Sequence, residues 1–294
     1  MQRIVRQVCG IDVAKDELVV VAGRLYDDMT PELYARKSFP NSDKGFCALL
    51  VWMNKLTEPS IETRFVMEAT GVYHEKLAYF LYGQGQLITV VLPNKISNYF
   101  RTLETKTITD KTASDAIARF GLERKLDNWK PASPVYKKLR QLTRERDQLV
   151  QNRTIAKNQL HAEQSEAEPN KTSLARVKKL IFLLDKQEKE IKAELAALVK
   201  QNEEVKRKVE LIISIPGVGA LTAVTVLAET NGFELIRNKK QLTSYAGLDV
   251  KEKQSGTSVK GKAVISKKGN KFLRKTMHLP ALASIRHDER FKAI

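Results

Sequence analysis

The sequence predicts an α/β domain with a mixed sheet, followed by parts that are entirely helical. Within residues 1–131, Val- and Ile-rich segments of strand length alternate with helical patterns. From residue 132 onward, apolar residues recur at helical spacing within long and highly charged stretches. We therefore expect three parts: residues 1–131, a helical connector at 132–210, and a small helical domain at 211–294.

The first part is predicted to contain three strands followed by alternating helices and strands. The Val- and Ile-rich stretches at 5–12 and 17–25 flank a tight turn, and a third strand at 33–39 completes a meander. The other predicted elements are a helix at 43–56, a strand at 64–67, a helix at 72–82, a strand at 86–92 and a mainly helical stretch at 94–125. This order is that of the ribonuclease H-like (RuvC-like) α/β folds.

The apolar spacing in the connector predicts two long helices, separated at Glu168-Pro169-Asn170. We expect them to form an antiparallel hairpin or coiled coil. In the second helix, apolar residues recur at two neighbouring heptad positions. These residues are Val177, Leu184, Ile191, Leu198 and Val205, with Ile181, Leu195 and Val209 beside them. Polar Glu188 and Asn202 interrupt the seam, so a helical spacer and an oligomerisation arm both remain open.

The chain carries a large positive charge. Its 51 Lys and Arg against 34 Asp and Glu give a net charge of +17, which indicates nucleic acid as the partner before an anionic membrane surface. No apolar run approaches the roughly 18 residues of a membrane span, and MQRIVRQVCGID lacks the apolar core of a signal peptide. We therefore expect a cytoplasmic protein with no membrane partner.

Four acidic residues of the first part lie where strands end or a helix begins. Asp12 ends the first strand, Glu68 ends the strand before ATG, and Asp110 and Asp115 open the helix after TIT. Carboxylate oxygens gathered from separate segments suit Mg²⁺, a hard cation that takes oxygen ligands. Singly, each acid is as well explained by a turn or by a helix N-terminus. Together, their positions favour a metal site.

The last part predicts a small helical domain with a basic, Gly- and Ser-rich loop. In IPGVGALTA, Gly217 and Gly219 form a turn entering a helix, which suits a backbone phosphate and equally a tight turn between packed helices. The loop and the helix after it are the densest basic stretch of the chain. The predicted phosphate contacts are Lys251, Lys253, Lys260, Lys262, Lys267, Lys268, Lys271 and Arg274. From composition alone, Ser255 of QSGTS is a solvated turn residue.

Motifs in both halves of the chain resemble the insertion-sequence-110 family of DEDD transposases, the recombinases guided by a bridge RNA. GIDVAKDELVV, VMEATGVYHEKLA and TDKTASDAIARF resemble that family's RuvC-like domain. IPGVGALTA, SYAGLDVKEKQSGTSVKG and ISKKGNKFLRK resemble its C-terminal transposase domain. The family's last acidic pair is spaced D-x-x-D, whereas Asp110 and Asp115 have four residues between them, and the family usually continues with further helices beyond the position of Ile294.

The resemblance implies a composite active site. By position, Asp12, Glu68, Asp110 and Asp115 correspond to the family's Mg²⁺-binding carboxylates, with Asp115 the closer match of the last two, and Ser255 corresponds to its catalytic serine. The serine would attack a DNA phosphodiester and form a phosphoserine link, with Mg²⁺ stabilising the developing charge. The family further implies a dimer or tetramer whose subunits share each site, and a bridge RNA that pairs with donor and target DNA.

Two other functions remain open on the sequence. A two-metal RuvC-like nuclease or junction resolvase would use the carboxylates to activate water and would leave no protein–DNA adduct. A non-catalytic nucleic-acid-binding protein would use the basic stretch and the glycine turn, and its activity would not depend on Asp12.

Overall fold

The computed structural model describes residues 2–69, 71–103, 109–252, 254–255 and 259–289, and for 254–255 and 259–260 it describes the backbone alone. It divides the chain into two units, Met1–Pro131 and Ala132–Ile294. Within the described residues, no helix is both long enough and apolar enough to cross a membrane.

The first unit is built on a five-stranded mixed sheet with the strand order β3-β2-β1-β4-β5. β2 runs antiparallel to β1 and β3, whereas β4 and β5 run parallel to β1. The strands are β1 (Ile4–Val13), β2 (Glu17–Tyr26), β3 (Pro31–Pro40), β4 (Thr63–Glu68) and β5 (Leu87–Val91). The helices are α1 (Asp43–Leu56), α2 (Glu75–Gly83), α3 (Pro93–Phe100) and α4 (Asp110–Glu123). This topology confirms the ribonuclease H-like fold that the sequence predicts.

The two faces of the sheet are covered by different helices, because successive side chains of a strand point to opposite faces. Ile11 of β1 and Met67 of β4 contribute to a core with α1 and α2. Val8 and Val66, from the same two strands, pack on the other face against Ile117 of α4. The sheet is therefore buried on both faces.

Over its described residues, the second unit consists of helices and a small β-hairpin. Its helices are α5 (Pro134–Gln164), α6 (Lys171–Gln201), α7 (Glu203–Ile213), α8 (Ala220–Glu229), α9 (Lys239–Ala246) and α10 (Lys271–His287). The hairpin has four short strands, β6 (Val250–Lys251), β7 (Gln254–Ser255), β8 (Val259–Lys260) and β9 (Val264–Ile265). β6 pairs with β9 and β7 pairs with β8, each antiparallel.

Helices on both sides of residue 211 share one core. It contains residues of α5, α6, α7 and α8, including Tyr136, Leu139, Ile191, Leu195, Val205, Val209, Val224 and Leu227. The long helices α5 and α6 run antiparallel. Ion pairs show this, because residues further along α5 pair with residues nearer the start of α6. These pairs are Lys138–Glu194, Arg146–Glu188 and Arg153–Asp185.

The second long helix is shorter than its apolar repeat indicates. α6 ends at Gln201, and Asn202 begins α7, where its side-chain oxygen accepts a hydrogen bond of 3.0 Å from the Val205 amide. Because a capping side chain favours a helix start over helix continuation, Val205 and Val209 belong to α7. The periodicity continues across this break, and the helix does not.

Glu188, the acid that interrupts the predicted seam of α6, is a buried charge with three basic partners. Its carboxylate accepts from Arg146 at 2.8 Å and from Lys192 at 2.9 Å, and it also pairs with Arg153. Burial alone would raise the pKa of Glu188, but hydrogen bonds from Lys192, Arg146 and Arg153 outweigh it and lower the pKa to about 2. The charged form is therefore the one that the helical hairpin stabilises.

We predict that Glu188→Gln lowers the free energy of unfolding by about 2–4 kcal/mol at pH 7, because it removes the counter-charge from Arg146 and Lys192 and one of the two acidic partners of Arg153. A folded-state pKa below the unfolded one means that this contribution is present above pH ~5 and disappears as the pH falls towards 2. Urea unfolding followed by circular dichroism at several pH values measures the difference between variant and wild type.

The matched control is Glu190→Gln on the same helix. The Glu190 side chain is 62% exposed and lies 3.9 Å from Lys186, so this variant should change stability by less than about 0.5 kcal/mol. Equal effects of the two substitutions, or a Glu188→Gln effect independent of pH, would contradict the assignment of a buried ion cluster.

Candidate active site

Asp12 and Glu68 lie side by side at the C-terminal ends of two adjacent parallel strands. β1 pairs with β4 with Ile11 opposite Met67, so the next residue along each strand is one of the two acids. Because Ile11 and Met67 point into the core beneath α1 and α2, the acids point to the other face. Both are half-buried on the face that α4 covers.

α4 brings a third acid to this edge of the sheet. The helix runs antiparallel to β1, with Ala118 against Gly10 and Gly121 against Val8. Its N-terminal end, where Asp110 lies, therefore points towards the C-terminal end of the strand. Thr109 fixes this start as the N-cap, with its hydroxyl accepting from the Thr112 amide at 3.3 Å.

Small residues allow α4 to approach the sheet closely. Ser114, Ala118 and Gly121 are buried at spacings of four and three residues, which places them on one face of the helix. A Cβ atom added to Gly10 would lie 2.5 Å from the backbone nitrogen of Ala118. Asp110 comes four residues before Ser114 and so continues the same face beyond the last buried turn.

The electrostatics of Asp12 indicate that the three acids interact. Burial raises the pKa of Asp12 most, and the negative charges of Asp110 and then Glu68 raise it further, against a hydrogen bond from the Val13 amide that lowers it. Negative charges that raise the pKa of a neighbouring carboxyl group would interact favourably with a bound cation. Among the described residues, no three carboxylate, histidine or cysteine side chains already converge as a ready-made metal site.

Asp115, the fourth predicted acid, has a basic partner on β3. Its carboxylate pairs with the guanidinium of Arg36 on β3. Five residues along an α-helix turn a side chain by about 140° from its starting direction, whereas a D-x-x-D spacing leaves about 60°. The insertion between Asp110 and Asp115 thus sends them to different sides of α4. Sequence matching favours Asp115 as the metal ligand, while the geometry groups Asp110 with Asp12 and Glu68.

In the second unit, the backbone of Ser255 lies in a strand and not in the predicted loop. β7 pairs with β8, with Ser255 opposite Val259. Nearer the root of the hairpin, Val250 pairs with Ile265. The β-branched residues Val250, Val259, Val264 and Ile265 favour extended, paired backbone here, despite the glycines and serines between them.

The predicted basic residues divide into exposed ones and one that stabilises the structure. Exposed side chains belong to Lys251, Lys262, Lys267, Lys268 and Lys271. Arg274 is half-buried and donates a hydrogen bond of 2.8 Å to the Ala246 carbonyl, so it holds the backbone in place. Lys253 lies outside the described residues, and only the backbone of Lys260 is described.

The glycine turn of IPGVG packs against α10. Gly217 has a left-handed backbone (φ +83°), and a Cβ atom there would meet the Pro280 carbonyl at 2.9 Å. The Ser284 hydroxyl donates to the Pro216 carbonyl at 2.7 Å. Packing thus accounts for Gly217, while Gly219, the N-cap of α8, has open space around its Cα position.

Sequence reasoning missed the residues that position these groups. The small face of α4 had a sequence signal, namely Ser114, Ala118 and Gly121 at helical spacing. Arg36 had none, because its partner Asp115 lies 79 residues further along the chain.

The strand order and the acidic edge define the first unit as a ribonuclease H-like domain with a candidate carboxylate site. A family profile of DEDD transposases of the IS110 type matches residues 9–165, which is more than half of the chain. A second profile, described as transposase of the IS116/IS110/IS902 family, matches residues 209–294. The chain belongs to this family of transposases and is a DNA recombinase.

Two kinds of curated relative support this membership. The pilin gene-inverting protein of Moraxella bovis is 28% identical over 279 residues, covering 93% of this chain and 81% of the relative. The transposase for insertion sequence element IS1111A of Coxiella burnetii is 38% identical over 97 residues, covering 32% of this chain and 24% of the relative.

Among solved structures, RuvC of T. thermophilus in complex with a Holliday junction substrate matches with a TM-score of 0.30 and 11% identity, over 38% of this chain and 90% of RuvC. A member of the Ppx/GppA family from Aquifex aeolicus matches with a TM-score of 0.25 and 12% identity, over 32% of this chain and 37% of that protein. The strand order of this chain, and not either of these matches, is the basis for its ribonuclease H-like fold.

We predict that Gly10→Ala lowers the free energy of unfolding by about 2–3 kcal/mol, because the new methyl group displaces the α4 backbone from the sheet. Gly83→Ala, at the end of α2, is the matched control, since no atom lies within 4 Å of a Cβ there. Chemical unfolding followed by circular dichroism compares the two, and similar small effects would show that α4 does not depend on contact at Gly10.

Proposed function

We propose that this transposase cuts and rejoins DNA through a phosphoserine intermediate, with Mg²⁺ on its carboxylates and with sites chosen by a bridge RNA. The observation that carries the proposal is the grouping of Asp12, Glu68 and Asp110 at one edge of the sheet. The position of Ser255 on a basic hairpin of the other unit supports it. The names of the relatives, a gene-inverting protein and a transposase, agree with DNA rearrangement as the outcome.

The residues that would hold the metal ion are Asp12, Glu68 and Asp110. Their fit to a cation rests on their positions at one edge of the sheet, together with the raised pKa of Asp12, which burial raises most and the charges of Asp110 and Glu68 raise further. A few carboxylates suffice, because Mg²⁺ keeps several waters and completes its shell with substrate phosphate oxygens. When bound, Mg²⁺ supplies charge stabilisation at the reacting phosphate. Asp115 serves a different purpose in this proposal, holding α4 against β3 through Arg36.

Ser255 supplies the nucleophile. Its hydroxyl oxygen attacks the phosphorus of a DNA phosphodiester, and the serine proton leaves to solvent or to a nearby base as the new Oγ–P bond forms. The bond from phosphorus to one strand end breaks, and that oxygen takes up a proton and leaves as a hydroxyl. Rejoining reverses these steps with the hydroxyl of another strand, so the energy of the phosphodiester bond is conserved.

Nucleic-acid binding divides between the protein and the guide. The exposed lysines beside the hairpin and the net charge of +17 suit contacts with phosphates, which position a duplex without reading its sequence. Base pairing by a bridge RNA would then choose donor and target sites. We further propose that the carboxylates and the serine of one site come from different subunits of an oligomer.

We predict that wild-type protein, mixed with Mg²⁺, DNA carrying the flanks of its own coding region and RNA transcribed from them, forms a covalent protein–DNA band on a denaturing gel. Ser255→Ala removes the nucleophile and Asp12→Asn removes a metal ligand, so neither should form the band. If Ser255→Ala still cuts DNA without an adduct, the serine assignment is wrong and the metal-dependent nuclease takes its place. If Asp12→Asn retains every activity, the protein binds nucleic acid without carboxylate chemistry.

We also predict that Asp110→Asn and Asp115→Asn differ in this assay. Asp110→Asn should slow adduct formation by about 100-fold or more at 1 mM Mg²⁺ and regain part of the rate at higher Mg²⁺, since a weakened site fills by mass action. Asp115→Asn, which removes only the pair with Arg36, should stay within about 10-fold of wild type and show no added Mg²⁺ dependence. The opposite ranking would make Asp115 the metal ligand and would contradict the grouping proposed here.

A further inference from the structure

The two legs of the serine-bearing hairpin meet at its root. A Cβ atom on Gly269 would lie 2.5 Å from the Gly247 amide nitrogen, so the chain before β6 and the chain after β9 touch through glycine. Hydrogen bonds join the same segments: the Lys267 amide donates to the Gly247 carbonyl at 3.0 Å, and the Ser266 amide to the Asp249 carbonyl at 2.8 Å. Backbone hydrogen bonds and close glycine packing therefore hold the two legs together at the root.

Both legs connect to one buried residue, Glu229 of α8, whose side chain is 1% exposed. On the leg after β9, the Asn270 side-chain amide donates to Glu229 Oε2 at 2.6 Å. On the leg before β6, the Tyr245 hydroxyl donates to the Glu229 backbone carbonyl at 3.0 Å. The Asn270 backbone amide in turn donates to the Tyr245 carbonyl at 2.7 Å, which closes the ring of contacts.

Arg144 of α5 holds this carboxylate in a fixed orientation. Its Nε donates to Glu229 Oε1 at 2.7 Å and its terminal nitrogen to Oε2 at 2.8 Å, a two-point pairing that restricts rotation of the carboxylate. The guanidinium also lies 4.5 Å from the centre of the Phe272 ring on α10. Through Asn270, this ion pair connects the root of the hairpin to α5 and α8.

Asn270 suits this position because its side chain has two different functional ends. Its oxygen caps α10, accepting from the Phe272 amide at 2.9 Å and the Leu273 amide at 3.1 Å, while its nitrogen donates to Glu229. An aspartate would keep the cap but would place a second negative charge against the buried carboxylate. Asn270→Asp therefore removes the hydrogen bond to Glu229 while leaving the N-cap of α10 in place.

We propose that Asn270 and Glu229 are positioning residues, which hold the hairpin so that Ser255 is presented to DNA in one orientation. This inference rests on the proposed role of Ser255 as the nucleophile. A small displacement of a reacting group is enough to slow a reaction by about 100-fold while binding is retained. Loss of the Asn270–Glu229 link should therefore reduce the rate of the serine step and leave the affinity for DNA unchanged.

The test uses the full-length chain and four variants. Asn270→Asp breaks the link, and Asn170→Asp is the matched control, because Asn170 caps α6 with bonds of 3.0 and 3.2 Å from the Thr172 and Ser173 amides. Among the described residues, the Asn170 side chain has no carboxylate hydrogen-bond partner. The double variant Glu229→Gln with Asn270→Asp restores a hydrogen bond with its direction reversed, because the new amide at position 229 donates to the new carboxylate at position 270. Glu229→Gln alone is the fourth variant.

Two readouts are compared. At saturating DNA from the element's own flanks, Asn270→Asp should form the covalent band about 10- to 100-fold more slowly than wild type, with a Kd for that DNA within about 2-fold. The double variant should recover at least about 5-fold of the lost rate relative to Asn270→Asp alone. In the protein without DNA, backbone amides of residues 264–270 should exchange hydrogen at least about 10-fold faster in Asn270→Asp and at the wild-type rate in Asn170→Asp.

The outcomes separate this inference from the proposed function. If the wild type forms no adduct at Ser255, the proposed function fails, while the exchange rates still report whether Asn270 holds the root. If Asn270→Asp forms adduct and exchanges amides at wild-type rates, the positioning role is overturned. A parallel loss of DNA affinity and rate would also overturn it, since Asn270 would then act in binding.

Discussion

The contact of α4 with β1 at Gly10 is the constraint on which the first unit depends. A helix backbone that passes within van der Waals distance of a central strand requires a residue without Cβ in the strand and small residues along the helix. Its consequence reaches the chemistry, because the same antiparallel approach sets the first turn of α4 beside the ends of β1 and β4. The acidic edge is thus a result of close packing.

Glu188 and Glu229 of the second unit differ from Asp12 of the first in the charges that surround them. Glu188 and Glu229 are buried and each is held by arginine, so their charge is neutralised locally and ties helices together. Asp12 instead has negative neighbours, and its pKa is raised first by burial and then by the charges of Asp110 and Glu68. A cation bound with a phosphate substrate would offset this repulsion. The contrast separates the acids that stabilise the fold from those available for chemistry.

Much of the fold was predictable because strands and helices carry local periodicity. The order of elements in the first unit and the two long helices follow from alternation and from apolar spacing. The break at Asn202 was not predicted, because a capping hydrogen bond leaves the apolar repeat unchanged. The strands around Ser255 were obscured by neighbouring glycines and serines. Of the candidate site, Asp12, Glu68 and Asp110 were found as strand and helix ends, whereas the partners Arg36, Arg144 and Asn270 depend on long-range packing with no local signal.

In the proposed function, the carboxylates and the serine are separate halves of one active site, supplied by different subunits. Mixing Asp12→Asn protein with Ser255→Ala protein, each inactive alone, tests this most directly. The account predicts that the mixture regains adduct formation and that the DNA is linked only to the Asp12→Asn chain, which retains the serine. A mixture that stays inactive under conditions where the wild type is active would contradict it, and would place both halves of the site in the same chain.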